Sequence, residues 1–307
     1  MLSVVIPTYR KEARLRLMLT SLLAVSGEVG PAVEVIVVDD GGGTDLTEVV
    51  GRAKEAAKSN AAVRGVRGAH AGRSAARNLG AGHASHGRIL FLDDDVLLTR
   101  GALAAHLRHE DQTRPVFVRG TILSLPWLAA FDDPSTGALT ERAARSLGLG
   151  RGADASGLRT RVVTLDAGGH VGARLAGLAR MSRFEKDLHE WLSARPVNMP
   201  GRWIGATGAH LSVQRSAFLG LGGFDEAMGL RWGAEDLELG YRAEKAGIPI
   251  LHAAEAVVCH MDHEAGSRDG DHEAAFEYFA RKHGDATLLD LLSYFAGRCS
   301  LPEALAG

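Results

Sequence analysis

Two periodicities alternate through the first hundred residues, and few folds accommodate both. LSVVIP (Leu2 to Pro7) is a short apolar run closed by a proline, and Leu15, Met18, Leu19, Leu22 and Leu23 then recur at helical spacing. VEVIVV (Val33 to Val38) is a second apolar run, followed by Asp39-Asp40, three glycines and a helical stretch over about 45–59. A weaker strand is expected near 63–66, a helix over 74–85, and a fourth strand at RILFL (Arg88 to Leu92), cut off by three aspartates. Runs apolar on both faces, alternating with helices, predict an α/β fold with a mostly parallel sheet covered by helices. Ligands of such sheets bind beyond the carboxyl ends of the strands. The polar clusters Thr8 to Arg10, Asp39-Asp40 and Asp93 to Asp95 fall at those ends.

The segment 112–201 is less patterned. VFVRGTIL reads as a strand, the Gly- and Arg-rich stretch 148–177 as loop with one strand at 161–165, and Leu175 to Leu192 as a helix. Three roles stay open for this region: an acceptor-specific insertion, a lid, or a dimer contact. Beyond it, AHLSVQRSAFLGLGGFDE reads as strand, short helix and tight turn. Glu235 to Ala246 reads as a helix stopped by Gly247, AVVCH (Ala256 to His260) as a short strand, and the tail from His272 as amphipathic helix.

Composition narrows the function classes. Hydrophobic residues make up 46% and charged residues 23% of the 307, close to the globular average, which argues against a disordered chain. Only Cys259 and Cys299 occur, without CxxC spacing, so neither a disulfide scaffold nor a cysteine-built zinc site is expected. No apolar run reaches the roughly 18–20 residues of a membrane span, and MLSVVIPTYRKE lacks signal-peptide features; a cytoplasmic protein is expected. The formal charge of −2 hides an asymmetry: residues 1–98 carry 12 Lys+Arg against 11 Asp+Glu, 99–224 carry 16 against 10, and 225–307 carry 7 against 16. That distribution speaks against nucleic-acid binding. The basic middle is open to an anionic acceptor or a peripheral membrane contact, or is simply a solvated face.

Five segments carry chemistry. In FLDDDV, three adjacent carboxylates repel one another unless a cation sits among them. Mg²⁺ or Mn²⁺ is the natural occupant, because both take carboxylate and phosphate oxygens. On an extended chain Asp93 and Asp95 would flank one site; the alternative is a strand end capping the next helix. In VVDDGGGTD, Asp39 and Asp40 can accept hydrogen bonds from a ribose or base edge, or the segment is an ordinary turn capped by Thr44 or Asp45. In GRSAARNLGAG, Arg73 and Arg77 share a helix face and suit phosphate, or merely face solvent. In WGAEDLELGYR, Glu235-Asp236 opens a helix, where a carboxylate can serve as base or only complement the dipole. Trp203 and Trp232 are available to stack on a sugar, or belong to the core. In CHMDH, His260 directly follows a strand and ranks above His252 and His263 as a metal ligand.

In this order, the segments resemble the inverting GT-A glycosyltransferases of family 2. VVIPTYRKEARL with VVDDGGGTD is similar to that family's opening, GRSAARNLGAG to its AxARNxG segment, and FLDDDV to its DXD motif. WGAEDLELGYRAEKAGIPI resembles the WGxED form of galactosyl- and hexosaminyl-transferring relatives. Arg10 stands where an asparagine is common, and Gly-Gly-Gly where Gly-Ser is usual. The resemblance implies a GT-A, Rossmann-like fold with a helical or irregular acceptor-side insertion. Its parts would be a nucleotide-sugar half at 1–110, the variable region at 111–202, an acceptor and catalytic half at 203–270 and a helical tail at 271–307. It also implies residue roles. Pro7, Thr8, Arg10 and Glu12 would lie near the nucleotide, with Asp39 and Asp40 on the uracil or ribose, and Arg73 or Arg77 on base or phosphates. Asp93 would touch ribose with Asp94 beside it, Asp95 and His260 would hold Mn²⁺ or Mg²⁺, Asp236 would be the base and Glu235 an acceptor contact. The partners implied are a nucleotide-sugar donor, UDP-linked by family frequency, and a hydroxyl acceptor.

Two other classes compete. A sugar-nucleotide nucleotidyltransferase would need a glycine-rich loop near its N-terminus, and PTYRKEARL has no glycine. A non-catalytic nucleotide-sugar-binding protein would have no use for Asp93, Asp95, Glu235 and Asp236 together.

Overall fold

The structure is a computed structural model that describes residues 1–30, 33–59, 61–109, 114–147, 162–230, 232–264 and 269–306. In chain order the elements are β1 (Leu2–Thr8), α1 (Glu12–Val29), β2 (Val33–Asp39), α2 (Leu46–Ala57), β3 (Val63–Arg67), α3 (Arg73–His83), β4 (Arg88–Leu92), β5 (Val96–Leu98) and α4 (Ala102–Leu107). There follow β6 (Phe117–Ser124), β7 (Phe131–Asp133), β8 (Ala138–Leu139), α5 (Glu141–Ser146), α6 (Ala173–Leu178) and α7 (Arg183–Ser193). The rest comprises β9 (His210–Gln214), α8 (Arg215–Gly220), α9 (Glu235–Lys245), β10 (Ile250–His260), α10 (Asp269–His283), α11 (Asp290–Phe295) and α12 (Leu301–Ala304).

Eight strands form one sheet in the order β3-β2-β1-β4-β9-β6-β10-β5. The first four are parallel, as the alternation predicts, and β6 runs parallel to β10. Strand β9 is antiparallel to β4 and β6 and joins the two parallel blocks. The period-2 rule sorts β1 cleanly. Val4 and Ile6 pack with Leu15, Met18, Leu19, Leu22 and Leu23 of α1, while Val5 joins Phe91, Leu239 and Phe276 on the opposite face. Each such fully buried aliphatic side chain stabilises by roughly 1.5–3 kcal/mol.

Three departures from the sequence reading have local causes. The aspartates after β4 do not cap a helix; the chain turns at Asp94-Asp95 and continues as β5, antiparallel to β10. The expected helix from Leu175 to Leu192 is two helices, because Arg180 bridges to Ser124 in extended form and the Ser182 hydroxyl caps α7 by accepting from Glu185 N–H. AVVCH is only the last part of an 11-residue strand whose register against β6 shifts between Ala253 and Val257. Of the expected strand at 161–165, Arg161 lies outside the described residues, and Leu165 forms an isolated bridge to Val171. Of the loop expected over 148–177, residues 148–161 lie outside them, and the end is not loop but the start of α6 (Ala173–Leu178).

A third apolar cluster joins Leu125, Leu128, Phe131, Leu139, Val163 and Leu175 to Cys259 and Met261. Buried Arg14 pins it to α1, donating to the carbonyls of Met261 (2.7 Å), Leu128 (3.0 Å) and Phe131 (2.9 Å). This fixes the chain leaving β10 above the triple-aspartate turn. No helix among the described residues is long and apolar enough to cross a membrane.

Candidate active site

The carboxyl ends of β1, β2 and β4 border a cleft of about 230 Å³ whose walls include Pro7, Thr8, Asp40, Arg73, Asp93 and Asp94. Tyr9 and His70 also line it and stack face to face, ring centroids 4.5 Å apart. Asp40 accepts from Ala71 and Gly72 N–H at 3.0 and 2.9 Å and so aims the start of α3 at the cleft. Gly72 has φ +96°, and a Cβ there would lie 2.1 Å from the Gly229 carbonyl oxygen, so only glycine fits. Asp39 is fully buried behind the cleft, where it accepts from the N–H groups of Gly42, Gly43 and Thr44. Its carboxylate thus shapes the glycine turn, and Asp45 caps α2 as the turn reading expects. Arg10 and Glu12 face a second cavity of about 460 Å³, together with Arg14, Asp132, His263 and Glu264.

The three aspartates diverge, because they sit on a turn and not on an extended chain. Asp93 accepts from Arg77 at 2.8 Å. Asp94 accepts from the Thr8 hydroxyl at 2.7 Å and from Lys11 at 3.3 Å. Asp95 accepts from Lys11 at 2.8 Å and lies 3.3 Å from His260 Nε2 and 3.2 Å from His263 Nε2. The ladder explains the last grouping. His260 pairs with Val96, and Met261 N–H donates to the Asp95 carbonyl at 2.7 Å, so β5 and β10 deliver both arms. Asp262 accepts from Ser124 at 2.6 Å and lies 2.7 Å from His260 Nδ1, orienting that ring in the manner of a metal-supporting carboxylate.

Charge compensation here is dense. Burial opposes ionisation of Asp93 and Asp95, but Arg77 outweighs it for the first, and His260 and Lys11 outweigh it for the second; both carboxyls are held below the usual range. Burial likewise opposes the charge of His260, yet Asp95 and Asp262 push it up to about 10. Asp95, His260 and His263 each offer one ligand atom, and the three atoms lie within 4.8 Å of one another. Asp95 Oδ1 is buried without a hydrogen-bond partner, and carboxylate with two imidazoles suits a divalent transition ion. The residues therefore fit a metal such as Mn²⁺. His263, which the sequence ranks below His260, joins the same group, and Lys11, which no motif marks, contacts it.

The other acidic corner is the start of α9. Its approach is strained: Gly233 has φ +105° and Ala234 φ +64°, a conformation that costs a residue bearing Cβ of order 1 kcal/mol and concentrates at functional sites. Among the described residues four non-glycines have positive φ, and three of them, Arg10, His70 and Ala234, border the clefts or this corner. Buried Glu235 accepts from Arg77 at 3.0 Å and Arg73 at 3.4 Å, so the two arginines share a helix face as expected but turn it toward a carboxylate. Burial alone would raise Glu235, but Arg73 and Arg77 bring it below its ordinary value. Among the described residues Asp236 accepts only from backbone N–H groups, Gly208 at 2.9 Å and Leu237 at 2.8 Å. Burial and the neighbouring Glu235 push its pKa up to about 6. Trp203 belongs to the core, edge-on to Tyr241 and Phe279, and Trp232 lies against His272.

Comparison with known proteins agrees with this architecture. Residues 3–137, somewhat under half the chain, match the model of the family described as glycosyl transferase family 2. No curated protein sequence matches the chain. Among solved structures, GalNAc-T7 with UDP, GalNAc and Mn²⁺ superposes with TM-score 0.58 at 16% identity, covering 100% of this chain and 51% of that one. This chain thus spans about half the length of that structure. TarS 1-349 from S. aureus in complex with UDP-GlcNAc gives TM-score 0.55 at 16% identity, covering 97% of this chain and 72% of that one. The mannosyltransferase PcManGT from Pyrobaculum calidifontis, in complex with GDP-Man and Mn²⁺, gives 0.51 at 16%, covering 99% and 77%. The chain has the mixed α/β, Rossmann-like GT-A fold of these glycosyltransferases, and its first part carries the family 2 glycosyl transferase pattern.

Proposed function

We propose that the chain is an inverting glycosyltransferase that moves a hexosyl group from a nucleoside-diphosphate sugar to an acceptor hydroxyl. One observation carries this reading: at the strand ends two sets of paired charges adjoin the cleft, Lys11 with Asp94 and Asp95, and Arg77 between Asp93 and Glu235, the residue next to Asp236. Pro7, Thr8, Asp40, Arg73, Asp93 and Asp94 would border the nucleotide, with Asp39 supporting the turn beneath it. Arg10 and Glu12, on the second cavity, sit farther from that role than their motif implies. UDP is favoured because two of the similar structures hold it or a UDP-sugar, against GDP-Man in the third.

Asp95, His260 and His263 would hold Mn²⁺ or Mg²⁺, which when bound supplies positive charge to the departing diphosphate. Arg77 keeps Asp93 and Glu235 ionised and fixed, so the dipoles around the reacting centre need no rearrangement. Asp236 takes the acceptor proton. Its raised pKa leaves it ionised at neutral pH yet far more basic than a solvated aspartate, the compromise a general base requires. Attack from the face opposite the departing group inverts the anomeric centre in one displacement, and positioning of the two substrates contributes a further share of the rate.

The test is to incubate the protein with MnCl₂, UDP- or GDP-sugars and a panel of hydroxyl acceptors spanning sugars, glycolipids and small alcohols, and to detect released nucleoside diphosphate together with the glycosylated acceptor. Release from a sugar nucleotide supports the proposal. Pyrophosphate released from a nucleoside triphosphate instead would identify a nucleotidyltransferase, and binding without release a binding protein; either overturns it.

A further inference from the structure

Lys11 occupies a position that the family-derived roles do not explain. Its Nζ lies 2.8 Å from Asp95 Oδ2, 3.3 Å from Asp94 Oδ1 and 3.2 Å from His263 Nε2. Two of those three atoms belong to the group that converges on the candidate cation seat. Asp95 Oδ2 and His263 Nε2 are themselves 3.2 Å apart. An ion about 2.1 Å from each would lie within roughly 4 Å of Nζ on whichever side it sat, given the Lys11 distances. A monovalent and a divalent cation that close, sharing the same carboxylate, repel strongly at any realistic dielectric. An ion held by Oδ2 and His263 and the ammonium are therefore alternatives for that oxygen of Asp95, not companions.

The position of the lysine makes exchange feasible. Lys11 is the N-cap residue of α1, its side chain is one-third exposed, and it lines both the 230 Å³ cleft and the 460 Å³ cavity. Its ammonium has open space on either side once it releases Asp95. By contrast Arg14, three residues on, is locked by three carbonyls and cannot take part.

We propose that Lys11 is a displaceable counter-ion of the metal seat, holding Asp94 and Asp95 until a divalent cation takes its place. The proposal rests on the metal role given to Asp95, His260 and His263. In consequence the metal alone binds against the lysine. A nucleoside diphosphate arriving in the cleft offers the released ammonium a new anionic partner and so favours the exchange.

The experiment titrates MnCl₂ alone into the full chain, without donor, and follows free Mn²⁺ by electron paramagnetic resonance. Wild type, Lys11→Met, Lys11→Arg and Asp95→Asn are compared, each first checked for a wild-type melting profile. Removing the competing charge should tighten Mn²⁺ binding by roughly tenfold or more in Lys11→Met, while Lys11→Arg, which keeps the charge, stays weak and Asp95→Asn binds least. Equal affinity in wild type and Lys11→Met, or weaker binding in Lys11→Met, overturns the counter-ion role and leaves the metal role standing. Absence of Mn²⁺ binding in both overturns the seat itself and the counter-ion role with it. Should Lys11→Met not fold, Lys11→Gln is titrated in its place with the same expectation.

Discussion

The two acidic corners of the molecule are built from the same chemical groups and handle charge in opposite ways. At the turn after β4, each of Asp93, Asp94 and Asp95 has a cationic side chain within 3.3 Å, from Arg77 or Lys11. At the start of α9, Glu235 takes both arginines while Asp236, among the described residues, keeps only backbone N–H donors. The difference teaches how neighbouring carboxylates come to differ in role. Where cations outweigh burial, as Arg77 does for Asp93 and as His260 and Lys11 do for Asp95, the carboxylate stays ionised and serves to bind; where burial wins, as at Asp94 despite Lys11 and at Asp236, the pKa rises, and at Asp236 it reaches a range where the group can exchange a proton. Arg77 stands between the two corners and ties them together.

The sharpest way to break the comparison is to empty the first corner. Asp95→Asn should abolish metal-dependent turnover, a fall of about a thousandfold or more, and activity of the wild type should vanish in EDTA. Undiminished turnover in EDTA would remove the binding role from this corner. At the second corner, Asp236→Asn should lower kcat by about 10²–10⁴ with donor affinity unchanged and the melting temperature held or raised; calorimetric titration of UDP beside a turnover assay checks both. A near wild-type kcat would strip Asp236 of its role.

Arg77→Met attacks the tie. It leaves Glu235 buried beside Asp236, and Asp93, without their shared cation, at a cost of roughly 3 kcal/mol, read as a lower midpoint in urea. A midpoint within error of wild type would mean that the arginine is not the link. The smallest effects concern pH. Asp236 is protonated below about 6, so kcat/KM should fall as pH drops through that value and level off above it. Glu235→Gln removes a like charge and frees Arg77 to face Asp236, so the acid limb should move to lower pH. A limb that stays fixed or moves upward would show that Glu235 does not set the basicity of its neighbour.

How much of this was legible in the sequence follows from how local each feature is. Strands β1, β2 and β4 and helices α1 to α3 are continuous runs of one period bounded by proline, glycine or aspartate, so pattern alone locates them. Strand β6 is a continuous run too, but its sheet partners β9 and β10 lie some ninety and more residues on, and only folding shows it to be central. Most of β10 has no clear strand pattern in the sequence, because His252 and Glu255 interrupt its apolar run and its register against β6 slips nearby. Asp93 to Asp95 and Glu235-Asp236 were visible as carboxylate clusters. The divergence of the three aspartates was not, because it depends on a two-residue turn. His263 gains its place from a backbone hydrogen bond between Met261 and Asp95. Lys11 is a single lysine in PTYRKE, with no periodicity or spacing to set it apart.

The most direct measurement is anomalous diffraction at the manganese edge from crystals grown with MnCl₂ and UDP. One strong peak is expected within coordination distance of Asp95 and at least one of His260 and His263, with the diphosphate beside it. Featureless density there, with UDP bound in the cleft, would contradict the metal role.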